Sequence, residues 1–286
     1  MKYAITAATG NFGQTAVKEL LNLTNNDDDI IAIVRNTDKA KDLLPDEIEI
    51  RQGNYADEAS MEAALQGVDR LLFISSQPGA EVARVVQHQN VVKALTAAKV
   101  NFVAYTSFPN AQASTSALAS DHKLTEDAIK QSNVAHSFIR NNWYIENEMG
   151  LIQNGVANHT VSYWASNNAG WALEREFAAA AAKVLTLSNP KEVYEFAGPA
   201  RSYAELGTAI KQATGNDFAV HQVSAQEYQS ELESTGLDKD TAALFSSFQA
   251  PINDGSLNED TTDLPDVLGH DLTSLPVAIK EIINRK

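Results

Sequence analysis

There is no cysteine among the 286 residues, which removes disulfides, thiol nucleophiles, iron–sulfur clusters and cysteine zinc sites together. Basic side chains are scarce: 22 Lys and Arg stand against 37 Asp and Glu, for a formal net charge of −15. So acidic a surface repels phosphate backbones and lacks the patch that counterion release requires, so no nucleic-acid partner is expected. Long apolar runs are missing as well. Stretches 100–120 and 149–173 carry no Lys, Arg, Asp or Glu, but Asn, Gln, Ser and Thr interrupt both, and no membrane span is expected. Met1-Lys2-Tyr3-Ala4-Ile5-Thr6 runs straight into a strand pattern rather than a secretory apolar region, which points to a soluble, cytoplasmic protein. Six scattered histidines show no H-E-x-x-H spacing, and neither G-x-S-x-G nor G-x-x-x-x-G-K occurs. Metal catalysis, a hydrolase elbow and a P-loop are therefore set aside.

What is present is an ordinary globular composition, 44% hydrophobic and 21% charged, in a chain long enough to bury a core unaided. The first 140 residues alternate short β-branched runs with amphipathic segments. The strand-like runs are Tyr3–Thr6, Ile30–Val34, Ile48–Arg51, Leu71–Ser75, Phe102–Thr106 and His136–Arg140. Between them, Thr15–Leu23, Glu58–Leu65, Val82–Ala98 and Leu118–Gln131 carry helical spacing. Strands apolar on both faces, separated by helices, predict right-handed crossovers and one parallel, doubly wound α/β sheet. After about residue 150 the rhythm becomes irregular. Strand candidates at 161–165, 193–196 and 218–223 mix with helices at 175–187, 202–213 and 225–234, and a helical stretch at 238–286 contains a loop at 251–269. The division expected is a nucleotide-binding domain over 1–150 and a smaller α/β lobe over 151–286, interwoven with the first. The Ala178–Ala182 run reads as a helix face lying close on a sheet. Asn25-Asn26-Asp27-Asp28-Asp29 reads as a solvated loop rather than a calcium site.

Strand one ends in Thr6-Ala7-Ala8-Thr9-Gly10-Asn11-Phe12-Gly13, and a helix follows. A nucleotide-binding βα turn brings its backbone close to a pyrophosphate and offers it helix N-terminal amides. Gly10 sits where that approach needs a missing side chain, Gly13 where the helix must lie close on strand one, and Ala7 where the usual fingerprint has its first glycine. A purely structural tight turn is the competing reading. Strand two ends in Arg35-Asn36 instead of the carboxylate that would hold a ribose 2′-hydroxyl. A guanidinium suits a 2′-phosphate, so NADP is expected over NAD, unless Arg35 is only a solvated strand end.

These residues carry a resemblance. Ala4-Ile5-Thr6-Ala7-Ala8-Thr9-Gly10-Asn11-Phe12-Gly13, Ala32-Ile33-Val34-Arg35-Asn36 and Tyr105-Thr106-Ser107 resemble the NmrA-like atypical short-chain dehydrogenases. Arg140-Asn141-Asn142-Trp143-Tyr144-Ile145-Glu146-Asn147 resembles the signature of the bacterial NADPH-dependent quinone reductases in that family. Gln87-His88-Gln89-Asn90, His122 with Glu126, and Tyr194-Glu195-Phe196-Ala197-Gly198 extend the likeness, which fades after about residue 240. The resemblance implies a Rossmann-type domain with a small C-terminal lobe, substrate lying between them. Carried over position by position, it implies pyrophosphate contacts at Ala8, Thr9, Gly10, Asn11, Phe12 and Gly13, and a 2′-phosphate contact at Arg35. It also implies a cofactor border at Ser75, Ser76 and Gln77, a nicotinamide wall of Asn141, Asn142, Trp143, Tyr144, Ile145 and Glu146, and a contact from Arg175 in the second lobe.

The chemistry expected is narrow. No tyrosine has a lysine four residues on: Tyr105 leads to Pro109, Tyr144 to Glu148 and Tyr163 to Asn167. The Tyr-Lys alcohol-dehydrogenase mechanism is thus excluded. Hydride delivery to a quinone leaves a stabilised aromatic oxyanion, so positioning, a dry stacking surface and a few hydrogen bonds suffice. Phe12, Trp143 and Tyr144 supply flat walls, Asn141 orients the nicotinamide or the substrate carbonyl, and His122 or Tyr144 donates to the oxyanion. The competing reading makes His122 a solvated histidine at a helix start, and Trp143 and Tyr144 a packing pair. Three readings follow: NADPH-dependent reduction of a quinone or similar flat electrophile, a dinucleotide-binding redox sensor that regulates a protein partner, or reduction of another dye-like or carbonyl substrate. Whether the chain forms a homodimer is left open.

Overall fold

The computed structural model describes residues 1–25, 27–77 and 79–285. Strands and helices alternate through the first half of the chain: β1 (Lys2–Thr6), α1 (Asn11–Leu23), β2 (Asp29–Val34), α2 (Thr37–Leu43), β3 (Glu49–Gln52), α3 (Glu58–Leu65), β4 (Arg70–Phe73), α4 (Arg84–Ala97), β5 (Phe102–Ser107), α5 (Ala119–Gln131) and β6 (Ala135–Asn141). A 3-10 turn at Ile145–Glu148 leads into α6 (Met149–Val156), β7 (Val161–Tyr163), α7 (Glu174–Thr186), β8 (Val193–Phe196), α8 (Tyr203–Thr214), β9 (Val220–Gln222) and α9 (Ala225–Ser234). The chain closes with α10 (Lys239–Ser247), α11 (Ala250–Asn253), α12 (Asp263–Leu268) and α13 (Leu275–Asn284).

The main sheet has seven strands in the order β3-β2-β1-β4-β5-β6-β8, and every pairing in it is parallel. Alternate residues of each strand enter different cores. Tyr3 and Ile5 join Ile30, Ala32 and Val34 under α1 and α7, whereas Ala4, Ile31 and Ile33 face Met61, Val91 and Leu95 of α3 and α4. Burial on both faces is why these strands read as unbroken apolar runs. The Ala178–Ala182 run is the face of α7 that packs along α1, with Ala178, Ala180, Ala181 and Ala182 fully buried.

The second half returns to the first. β8 adds the edge strand beside β6, and the lobe proper consists of the parallel pair β7–β9 with α6, α8, α9 and α13 around a separate apolar core. The loop expected at 251–269 contains two short helices, α11 and α12. Leu264 and Leu268 of α12 are buried against the sheet core, which is the packing that orders them.

The order of strands reverses between β1 and β4, so a crevice opens above their C-terminal ends. Thr6 holds that point: its Oγ1 donates to the Leu72 carbonyl (3.3 Å) and accepts from the Ile74 amide (3.0 Å). The acidic stretch at 25–29 lies at the opposite end. Asp28 accepts from the N-terminal amine (2.8 Å) and from the Asn25 amide (3.1 Å), and Asn26 lies outside the described residues.

Candidate active site

The turn leaving β1 is shaped by backbone. Ala7 sits at φ 51°, the left-handed region, and its carbonyl accepts from the Gly10 amide at 3.0 Å. Gly10 is the N-cap of α1, and the helix has no side-chain cap and no acid in its first turn. Its first amides therefore point outward at the positive end of the dipole. Gly13 makes this possible: a Cβ there would lie 2.4 Å from the Ala7 carbonyl oxygen and 2.6 Å from the Ala8 Cα. Ala8 and Phe12 are buried, while Gly10 and Asn11 are exposed and Thr9 partly so. The carboxyl of Glu174, first residue of α7, lies beside the Phe12 amide and the Asn11 side chain; burial and the nearby Glu146 raise its pKa.

Around this turn the strand ends supply the rest. Arg35 follows β2 with an exposed guanidinium, and Asn36 accepts from the Lys39 amide to cap α2 (2.9 Å). Past β4, the Ser75 amide donates to Thr106 Oγ1 (2.8 Å), the Ser76 amide donates to His88 Nε2 (3.0 Å), and Gln77 is exposed. Past β6, Asn141 is buried; its Nδ2 donates to the Tyr144 hydroxyl (3.0 Å) while its Oδ1 has no partner among the described residues. The Tyr144 ring lies between Phe12 (centroids 6.2 Å) and Phe177 (5.0 Å), and burial pushes its phenol well above the usual range.

This juxtaposition has the donors and the space of a nucleotide-binding turn. Residues 7–165 match the family model described as NAD(P)H-binding. The chain belongs to that NAD(P)H-binding family. Over 285 residues, 98% of each chain, it is 34% identical to quinone oxidoreductase 2 of Escherichia coli strain K12. The crystal structure of that organism's NADPH-dependent quinone oxidoreductase in complex with NADPH superposes with a TM-score of 0.90 at 33% identity, covering 99% of this chain and 100% of the other. A triphenylmethane reductase from Citrobacter sp. superposes with a TM-score of 0.90 at 30% identity, covering 100% of both. An NmrA-like family domain-containing oxidoreductase of Aspergillus flavus is 30% identical over 151 residues, 51% of this chain and 49% of the other. The NmrA-like resemblance carried by the motifs and the doubly wound α/β fold are thus both found.

The residues fit an NAD(P)H. The uncapped start of α1 suits a pyrophosphate, the free Arg35 guanidinium suits a 2′-phosphate, and the orphaned Asn141 Oδ1 is an acceptor for a carboxamide N–H. Other family positions do different work. Asn142 is spent on the framework: its Oδ1 accepts from the Trp143 (2.9 Å) and Gly170 (3.0 Å) amides, and its Nδ2 donates to the Leu257 carbonyl (3.1 Å) and Glu259 (3.2 Å). Ile145 is a core residue, its amide bound to the Ala172 carbonyl. Glu146 accepts from Arg285 (2.9 Å) and from the Glu174 amide (2.9 Å). Arg175 is tied to Glu281 through Nε and Nη2, both at 2.8 Å, on the side of α13. Trp143 is half-buried against the second-lobe core, a packing role.

His122 is not solvated. It is 7% exposed, and its two nitrogens meet Arg84 Nη2 (3.0 Å) and the Tyr105 hydroxyl (2.9 Å). Burial and the Arg84 charge push its pKa well down, so the ring is neutral. His88, pushed by burial to about 3, is neutral as well. Its Nε2 accepts from Ser76, which leaves Nδ1–H to face Thr125 Oγ1 at 2.9 Å. These long-range partners were invisible to spacing, although His88 and His122 both lay in motifs that carried the resemblance. Below them, Arg140 donates to Glu126 (2.9 and 2.8 Å) and Glu195 (2.7 Å). Burial opposes ionisation of Glu126, but Arg140, Ser107 and Gln112 hold its carboxyl below the usual value. Glu148 in the second lobe has only neutral donors, Tyr203 (2.9 Å) and Trp171 (3.2 Å), and burial pushes it up to about 7. Among the described residues no group of three or more His, Asp or Glu is placed to hold a metal, and no helix is long and apolar enough to cross a membrane.

Proposed function

We propose that the chain is an NADPH-dependent oxidoreductase that reduces a quinone by two electrons, with the Asn141–Tyr144 pair at the reacting end of the cleft. The observation that carries the reading is the buried Asn141 Oδ1 without a partner, set beside the Tyr144–Phe12 shelf at the mouth of the phosphate turn. An unpaired buried acceptor is costly unless a ligand completes it. The full-length similarity to quinone oxidoreductase 2 supports the same reading.

The bound nicotinamide supplies the hydride; the protein supplies placement and hydrogen bonds. Asn141 orients the carboxamide, and its Nδ2 bond leaves the Tyr144 hydroxyl proton directed elsewhere. With its pKa raised, Tyr144 stays protonated at neutral pH and donates to the acceptor's oxygen. Ala8–Gly13, Ser75, Ser76, Gln77 and Arg35 bind the dinucleotide, and His88 fixes the Ser76 peptide at its edge. The reaction belongs in the cytoplasm, and light scattering distinguishes a monomer from a homodimer.

The test is loss of 340 nm absorbance when purified protein meets NADPH and a small soluble quinone, corrected for the uncatalysed rate. Rapid loss is expected. No loss from a protein whose NADPH binding is confirmed by fluorescence overturns the reductase reading and leaves the sensor.

A further inference from the structure

The chain has eight arginines against a formal net charge of −15. Arg51, Arg140, Arg175, Arg201 and Arg285 each reach a carboxylate. Arg70 lies over the Phe102 ring, 4.2 Å from its centroid, and donates to the Leu187 carbonyl. Among the described residues three guanidinium groups are thus without an anion: Arg70 at the start of β4, the end of the strand away from the crevice, and Arg35 and Arg84, which follow the C-terminal ends of β2 and β4. Arg35 stands past β2 and is accounted for by a 2′-phosphate. Arg84 opens α4, the helix that follows the C-terminal end of β4, and through His122 it is tied to Tyr105 of β5.

Arg84 is partly buried, and its Nε is buried with no acceptor among the described residues. Nη2 donates to His122 Nε2 at 3.0 Å. A guanidinium only donates, so Nε2 is the acceptor, and the His122 proton sits on Nδ1, committed to the Tyr105 hydroxyl at 2.9 Å. His122 therefore has no proton to offer the cleft. It acts instead as the brace of Arg84. The Phe108 ring, 6.1 Å from His122, belongs to the second-lobe core on which Trp143 packs, so this brace stands at the seam of the two halves.

We propose that Arg84 binds the acceptor oxygen that becomes anionic on reduction, and thereby selects neutral and anionic quinones over cationic dyes. The inference rests on the reading of the cleft given above. In the step it serves, hydride passes from the nicotinamide to the quinone. NADPH becomes NADP+, the two electrons leave one quinone oxygen as an oxyanion, and a proton from Tyr144 or water completes the hydroquinone. A permanent cation held in place by a neutral, buried histidine stabilises that charge without reorganising.

The experiment compares wild type with Arg84→Met and Arg84→Lys. Binding of 2-hydroxy-1,4-naphthoquinone, an anion at neutral pH, is followed by its visible absorbance on the NADP+-loaded protein. Turnover of a neutral quinone and of a triphenylmethane cation is followed with NADPH. Loss of one charge-assisted bond predicts anion binding weakened on the order of 10- to 100-fold in Arg84→Met. Quinone kcat falls with it, NADPH affinity and melting temperature are kept, the cation is used better, and Arg84→Lys recovers part of both losses. A collapse of the cleft would weaken all ligands together and overturns the proposal, as does anion binding unchanged in Arg84→Met. A wild type that turns over no quinone defeats the reductase reading alone; the anion titration still decides the role of Arg84.

Discussion

Two helices of this molecule begin in opposite ways. α8 closes its own N-terminus: Ser202 Oγ accepts from the Glu205 amide (3.3 Å), and Glu205 accepts from the Ser202 amide (2.9 Å). α1 begins at Gly10 with neither a side-chain cap nor an acid in its first turn. Capping satisfies orphan amides and contributes about 1 kcal/mol, so leaving α1 open is a cost borne at the end of the helix facing the crevice. The carboxyl beside it, Glu174, comes from α7 and is itself pushed toward neutrality. A helix that finishes its own hydrogen bonds has none to offer at that end; one that leaves its first amides open at the crevice has donors for an anion.

The comparison breaks most severely at Gly13. Any side chain there drives a carbon to 2.4 Å from the Ala7 carbonyl, and overpacking of this kind typically costs about 1–3 kcal/mol. Gly13→Ala should abolish measurable NADPH fluorescence enhancement and lower the melting temperature. The matching change in α8, Ser202→Ala, should cost about 1 kcal/mol in urea unfolding and leave the NADPH dissociation constant unaltered. If Ser202→Ala weakens NADPH as well, the two helix starts are not separable.

Arg35→Asp comes next. Exchanging the guanidinium for a carboxylate should raise the NADPH dissociation constant by roughly 10- to 100-fold, the worth of a charge-assisted contact, with NADH changed little. Equal losses for both dinucleotides would return Arg35 to an ordinary strand end and leave the open α1 start as the chief source of anion affinity.

How much of this the sequence discloses depends on range. Ile30–Val34 announces a doubly covered strand because all five residues are buried by local succession. The turn is readable because its glycines and the helix follow β1 without interruption. Asn142 reads as a cofactor contact, yet its amide is bound to Leu257, 115 residues away. His122 reads as a helix-start side chain, yet Arg84, 38 residues away, sets its tautomer. Helices α11 and α12 hide in a stretch rich in Pro, Gly and Asp because tertiary burial of residues such as Leu264, rather than propensity, forms them. Local rules place elements and turns; they do not say which polar side chains the fold has already satisfied.

The finest cut through the comparison is Ala7. Its φ of 51° puts an L-residue in the left-handed region, at a cost of about 1–2 kcal/mol relative to glycine. Glycine is also freer in the unfolded chain, which takes back about 0.4–1 kcal/mol. Ala7→Gly should therefore stabilise the protein by between about 0 and about 1.6 kcal/mol, the difference of those terms. Because the turn already holds Gly10 by its 3.0 Å bond without ligand, the gain should be equal with and without NADPH, so affinity stays constant. An affinity that rises several-fold at constant apo stability would mean that the strain is taken on only when the dinucleotide binds. The open helix start would then be assembled by its ligand rather than built beforehand by the fold.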